Sequence, residues 1–234
     1  GFFDQKNPAG SFLLNEKDFD AEKKANDPEA KKKKSIESIS ASSRFPMMSF
    51  FNTDMAFRDD LMVAGSYHGF NIYKILPSSG VPELQSSIVC PGGQGDISII
   101  GDILIMSVEE TRGRVDCGLN GVNVDASPER FRGLRIFNIS DIKNPIQVGS
   151  VQTCRGSHTH SVVEGPTSDN KIIVYNSGTS SVRDDDELEG CVEGLPGDNN
   201  SALFSIDVIE IPINNPSKSK IVSSPRVFAD LETG

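Results

Sequence analysis

Tryptophan is missing from this chain, and its 234 residues include only 3 tyrosines and 3 histidines. Without Trp the chain lacks the broad aromatic platform on which sugars stack, which weighs against a carbohydrate-binding role. No stretch of about 20 consecutive apolar residues occurs, so no segment reads as a membrane-spanning helix. Basic residues are in the minority, with 23 Lys and Arg against 33 Asp and Glu and a net charge of -10. A phosphate-binding surface needs the opposite balance, so nucleic acid is not an expected partner.

Several catalytic signatures are also missing. The 4 cysteines (Cys90, Cys117, Cys154 and Cys191) form no C-x-x-C pair, which argues against a structural zinc site or a thioredoxin-like motif. Gly156-Ser157-His158 lacks the second glycine of a nucleophile elbow. Pro91-Gly92-Gly93-Gln94-Gly95 precedes a strand rather than a helix, so it is no phosphate-binding loop.

What is present is a repeated phrase. Gly133–Cys154, GLRIFNISDIKNPIQVGSVQTC, reads as two strands joined by a turn at Asp141 and Asn144-Pro145. The same phrase occurs as GFNIYKILPSSGVPELQSSIVC over Gly69–Cys90, and in a worn form over Ala202–Phe228. Each copy follows a hairpin of two short apolar strands, and the first of these, Thr53–Phe57, alternates. These hairpins are Thr53–Phe57 with Leu61–Gly65, Gly95–Ile100 with Ile103–Val108, and Thr159–Val163 with Lys171–Tyr175.

The expected fold is therefore all-β: a β-propeller with four-stranded blades, about three of them covered, preceded by an N-terminal extension. The blades are expected over residues 46–91, 92–155 and 156–234. Three blades are too few to close a ring, so residues or chains beyond these are expected to complete it. Residues 1–45 form the extension. It holds Phe2, Phe3, Phe12 and Phe19, a Lys/Glu-rich stretch, and the basic run Lys31–Lys34, which suit an arm that packs on a partner.

An even number of cysteines at corresponding places of the repeat suits disulfides in an exported protein. Cys117 and Cys191 lie in matching long insertions, and Cys90 and Cys154 end matching strands, so the favoured pairing is Cys117 with Cys191.

In a propeller the first strand of each blade lines a central channel. Asp54, Asp96 and His160 each fall one residue into such a strand, and His158 lies two residues before His160, on the same side of an extended chain. Two imidazoles and two carboxylates at one channel mouth suit a divalent metal ion with mixed ligands, such as zinc, copper, iron or manganese. The alternative is that these residues line a water-filled channel. The two insertions open on the same face. They bring Arg112 and Arg114 from one and Asp184, Asp185, Asp186 and Glu187 from the other, a candidate interaction surface in which the acidic run pairs with nearby arginines.

The phrase GLRIFNISDIKNPIQVGSV resembles the signature of the LVIVD-repeat family of β-propeller proteins, with Asn138 where the family has Asp. The first copy departs further at Leu76-Pro77-Ser78, and the third keeps only Asn214-Asn215-Pro216. The resemblance covers residues from about Pro46 onward. It implies an exported, often surface-associated bacterial propeller with no established catalytic activity. Two functions are expected on these grounds. The first is a non-catalytic interaction or assembly module at the cell surface or in the periplasm, with a protein partner. The second is a metal-dependent hydrolase or oxidoreductase with its metal on the propeller axis.

Overall fold

The computed structural model describes residues 51–194, 198 and 200–227. The expected N-terminal arm over 1–45, and residues 228–234, lie outside them. The described residues form three four-stranded antiparallel sheets with strands in chain order. Sheet I comprises β1 (Asn52–Arg58), β2 (Leu61–Ser66), β3 (Gly69–Ile75) and β4 (Pro82–Val89). Sheet II comprises β5 (Ile97–Ile100), β6 (Ile103–Val108), β7 (Gly133–Asn138) and β8 (Ile146–Gln152). Sheet III comprises β9 (Thr159–Glu164), β10 (Lys171–Ser177), β11 (Asp207–Pro212) and β12 (Lys220–Ser223). Helix is confined to a 3-10 turn at Pro216–Lys218 among the described residues. No helix there is long and apolar enough to cross a membrane.

Burial along the strands shows how the sheets stack. All six residues of β6 are buried, whereas in β10 the buried positions are Ile172, Val174 and Asn176, two apart. Side chains alternate between the two faces of a strand, so continuous burial means that both faces are covered. Sheet II is the middle layer. On one side, Leu61, Val63, Phe70 and Ile72 of sheet I pack against Ile97, Leu104, Met106, Phe137 and Ile139 of the second repeat. Phe70 and Phe137 meet edge to face, with ring centroids 5.0 Å apart. On the other side, Ile103, Ile105, Leu134, Ile136 and Val151 pack against Ile172, Val174, Ile209 and Ile211 of sheet III.

The stacking has a direction. In each sheet the face bearing the first and third residues of the second strand (Leu61 and Val63; Ile103 and Ile105) is the forward face. In sheets I and II it lies on the rear face of the following sheet. Both interfaces are stabilised by apolar burial, at about 25 cal/mol per Å² of apolar surface removed from water.

The repeat is kept at the outer edges too. Ser86 Oγ in β4 donates to the carbonyl of Ile142, in the β7–β8 turn, at 2.6 Å. The Pro216 carbonyl, in the β11–β12 connection, lies where a side chain at Gly149 of β8 would stand. Asp141 shapes its turn by accepting from Lys143 N at 3.0 Å and from Asn144 Nδ2 at 2.8 Å. Gly69 and Gly133 open the third strand of their sheets at φ +140° and +139°. A Cβ at either would collide with the carbonyl oxygen of Ile88 or Val151 in the neighbouring strand.

The disulfides correct the expected pairing. They join Cys90 to Cys117 and Cys154 to Cys191, not Cys117 to Cys191. Each ties the end of one sheet's outer strand to the insertion of the next sheet, so both obey one rule of repeat to following repeat. The two insertions match in sequence position but belong to different layers, and that separates Cys117 from Cys191. Two disulfides suit an oxidising environment.

Candidate functional site

The residues expected at a channel mouth lie in or just before the first strands: Asp54 in β1, Asp96 before β5, His158 before β9 and His160 in β9. Asp54 Oδ2 accepts from the backbone N–H of Ile97 at 3.0 Å, and Asp96 Oδ2 accepts from that of His160 at 3.1 Å. Each aspartate thus latches the first strand of its sheet to the first strand of the next. A carboxylate receiving a backbone N–H makes a charge-assisted bond and gives that donor a partner.

These latches also change the correspondence between repeats. Ile97 and His160 occupy the same place, the residue that receives a latch, so the equivalent of Asp54 and Asp96 in the third repeat is Thr159. The expected match of Asp54, Asp96 and His160 is one residue out. A slip of one residue turns a strand's side chains onto the other face. His160 accordingly sits on the rear face of sheet III, 5 % exposed, against sheet II.

There its ring is fully engaged. Nδ1 lies 2.8 Å from Ser107 Oγ and Nε2 lies 2.9 Å from Ser98 Oγ, while Ser107 Oγ is 2.7 Å from Ser157 Oγ. Burial pushes the imidazole pKa down to about 4. At neutral pH it is an uncharged hub, donating from one nitrogen and accepting at the other. The three serines were not anticipated from the sequence. Single hydroxyls at alternating positions carry no distinctive pattern until a histidine is placed between them.

His158 has different surroundings. Its Nδ1 lies 2.6 Å from Glu109 Oε2, and both side chains are partly exposed. Thr179 Oγ1 donates to the same carboxylate oxygen at 3.4 Å, and Ser180 Oγ donates to the Glu109 carbonyl at 3.0 Å. Asp96 is close by. Burial raises its pKa, the neighbouring Asp54 charge adds to the rise, and the His160 N–H and His158 oppose it. The four expected metal ligands are therefore distributed over two latches, one buried hub and one carboxylate-held imidazole. Among the described residues, no three His, Cys, Asp or Glu side chains are grouped as a metal would require.

The insertions form a second centre. Arg130 Nη1 contacts Glu187 Oε2 at 2.7 Å, and Arg183 Nε bonds Glu187 Oε1. The Glu187 side chain is 0 % exposed. This corrects its expected place on the surface: it is the internal counter-ion of the insertions. Arg132 donates to the Ser181 carbonyl at 3.1 Å, and burial together with the nearby Arg130 and Arg183 lowers its pKa. Arg183 also bonds the Gln152 side chain and the Arg130 carbonyl, tying both insertions to β8.

Arg114 stays within its own insertion, gripping Asp116 at 2.7 Å and Glu129 at 2.8 Å. Arg112 Nη2 donates to the Asn120 carbonyl at 3.4 Å. Asp184, Asp185 and Asp186 are exposed, as expected. Asp184 Oδ1 accepts from Asp186 N at 2.9 Å, and Asp185 Oδ1 accepts from Gly190 N at 2.6 Å. Arg130 of the first insertion meets the acidic run of the second through Glu187. Around this framework Val115, Leu119 and Val124 are 48 %, 52 % and 59 % exposed.

No family model matches this chain, and no curated protein matches it.

Proposed function

We propose that the protein is an exported β-propeller module, of the LVIVD-repeat kind its repeat phrase resembles, that binds a protein partner at the cell surface or in the envelope without catalysing a reaction. The observation that carries this reading is the insertion 109–132. It is fixed by Cys90–Cys117 and by the Arg130–Glu187 pair, yet it presents Val115, Leu119 and Val124 to solvent. Apolar side chains held out on a rigid loop lose little further entropy when a partner covers them. The regular forward-on-rear stacking and the latches at Asp54 and Asp96 support a propeller, in which the first strands would surround an axis.

The experiment is crosslinking with mass spectrometry in native envelope fractions. The wild-type chain is expected to yield reproducible crosslinks from the 109–132 insertion to one partner. Leu119→Asp with Val124→Asp should abolish them without changing the melting temperature. Crosslinks that persist in the double variant would remove the insertion as the binding surface.

One observation favours the second reading, metal-dependent hydrolysis or redox chemistry. Glu109 holds His158 through Nδ1, the carboxylate–imidazole arrangement that orients a metal-binding or basic nitrogen. That reading requires about one equivalent of a transition metal in the purified protein, lost in His158→Ala.

A further inference from the structure

Both interfaces between sheets are of one type, and among the described residues each end of the stack leaves one half of that type open. The rear face of sheet II meets sheet I through Ile97, Leu104, Met106, Phe137 and Ile139. Strand register places Met55, Met62, Ala64, Tyr73 and Ile75 at the same positions in sheet I. No sheet covers that rear face among the described residues, and Met55 and neighbouring Phe57 are 52 % and 57 % exposed. At the other end, the forward face of sheet III carries Ile173, Tyr175 and Val208 where sheet II carries Ile103, Ile105 and Ile136. Tyr175, Val163 and Val222 there are 45 %, 46 % and 47 % exposed.

We propose that two copies of this chain join head to tail, the forward face of sheet III in each lying on the rear face of sheet I in the other. The interface continues the forward-on-rear contact already made twice within the chain. The latch position continues as well: Thr159 stands where Asp54 and Asp96 stand, and the counterpart of the Ile97 and His160 N–H groups in the second copy is that of Met55. A head-to-tail contact either closes a ring or grows without end. Two copies give six sheets, within the range of about 4–8 that closes a propeller. The inference rests on the propeller reading for its closure alone.

The test is light-scattering mass across a dilution series of the full chain, with Phe57→Glu and Tyr175→Glu variants and particle imaging. The expected mass is twice that of the chain, falling to one chain in each variant, with circular dichroism unchanged. Mixing the two variants should restore a two-chain species, because each retains the face the other has lost. This complementation is peculiar to a head-to-tail contact. A monomeric wild type overturns the proposal, whether its faces exchange amide hydrogens freely or are covered by another part of the same chain. A dimer indifferent to both variants overturns it too, as does a mass that grows past two chains with concentration. A monomer that images as a wedge of stacked sheets leaves the propeller reading in place. A variant-sensitive dimer without a central channel removes the ring instead.

Discussion

Asp54 and Ile97 are 43 residues apart, and the carboxylate of the first accepts the backbone N–H of the second at 3.0 Å. One layer later Asp96 does the same for His160 at 3.1 Å. The stack is therefore held at its first-strand edge by a repeated bond as well as by apolar packing between the sheets.

Replacing Asp96 by Ala removes the acceptor and leaves the His160 N–H without its partner. A loss of about 1–3 kcal/mol is expected, read as a lower urea midpoint at constant slope. Asp96→Asn keeps an acceptor oxygen and should recover part of the loss. An unchanged midpoint in the alanine variant would show that the latch contributes nothing.

His160 makes stability depend on acid. Its folded pKa is depressed to about 4, below the unfolded value of about 6.5. The folded state therefore binds the proton less tightly than the unfolded chain. The contribution is intact above pH about 6.5 and is lost as pH falls toward 4, by up to about 3 kcal/mol. Asp96 works in the opposite sense, because burial raises its pKa and protonation relieves that cost. His160→Gln should be less stable at pH 7 and should flatten the decline between pH 6.5 and 4. Urea titrations at several pH values check both.

The Glu187 carboxylate is bonded to both Arg130 and Arg183. Glu187→Gln leaves buried guanidinium groups without their counter-ion, a change that costs about 3–5 kcal/mol. Its first sign should be rapid hydrogen exchange and proteolytic cutting within both insertions, while strands β6 and β7 stay protected.

Peptide mapping under non-reducing conditions should recover Cys90 with Cys117 and Cys154 with Cys191. Removing the second bond as a Cys154→Ser, Cys191→Ser pair opens a loop of sequence separation 37, with an expected loss of about 3–4 kcal/mol. The melting temperature checks this, and a Cys117–Cys191 peptide would contradict the layer-to-layer rule.

Gly133→Ala forces a Cβ against the Val151 carbonyl at φ +139°. Backbone strain of this kind costs about 1–3 kcal/mol, and Gly69→Ala should behave alike, whereas Gly101→Ala, at φ +55° with open space around it, should cost less. Thermal melts of the three variants side by side give the order.

Strands, hairpins and repeat units were legible in the sequence because their contacts are local. Strand β6 (Ile103–Val108) pairs with β5 (Ile97–Ile100) across a two-residue turn, and the unbroken apolar run Ile103–Met106 suits a strand covered on both faces, as β6 is. The phrase around Gly133–Cys154 likewise marked every copy of the outer hairpin. What sequence could not decide was anything that crosses from one layer to the next. The match of Asp54, Asp96 and His160 was out by one because the link before β9 sets the register, and only the latch geometry fixes which residue receives the bond. Glu187 looked like one more acid in an exposed run until Arg130 and Arg183 closed over it. The cysteines showed matching positions, but sulfur pairs by distance in space, and the stacking direction placed each insertion beside the preceding sheet's last strand.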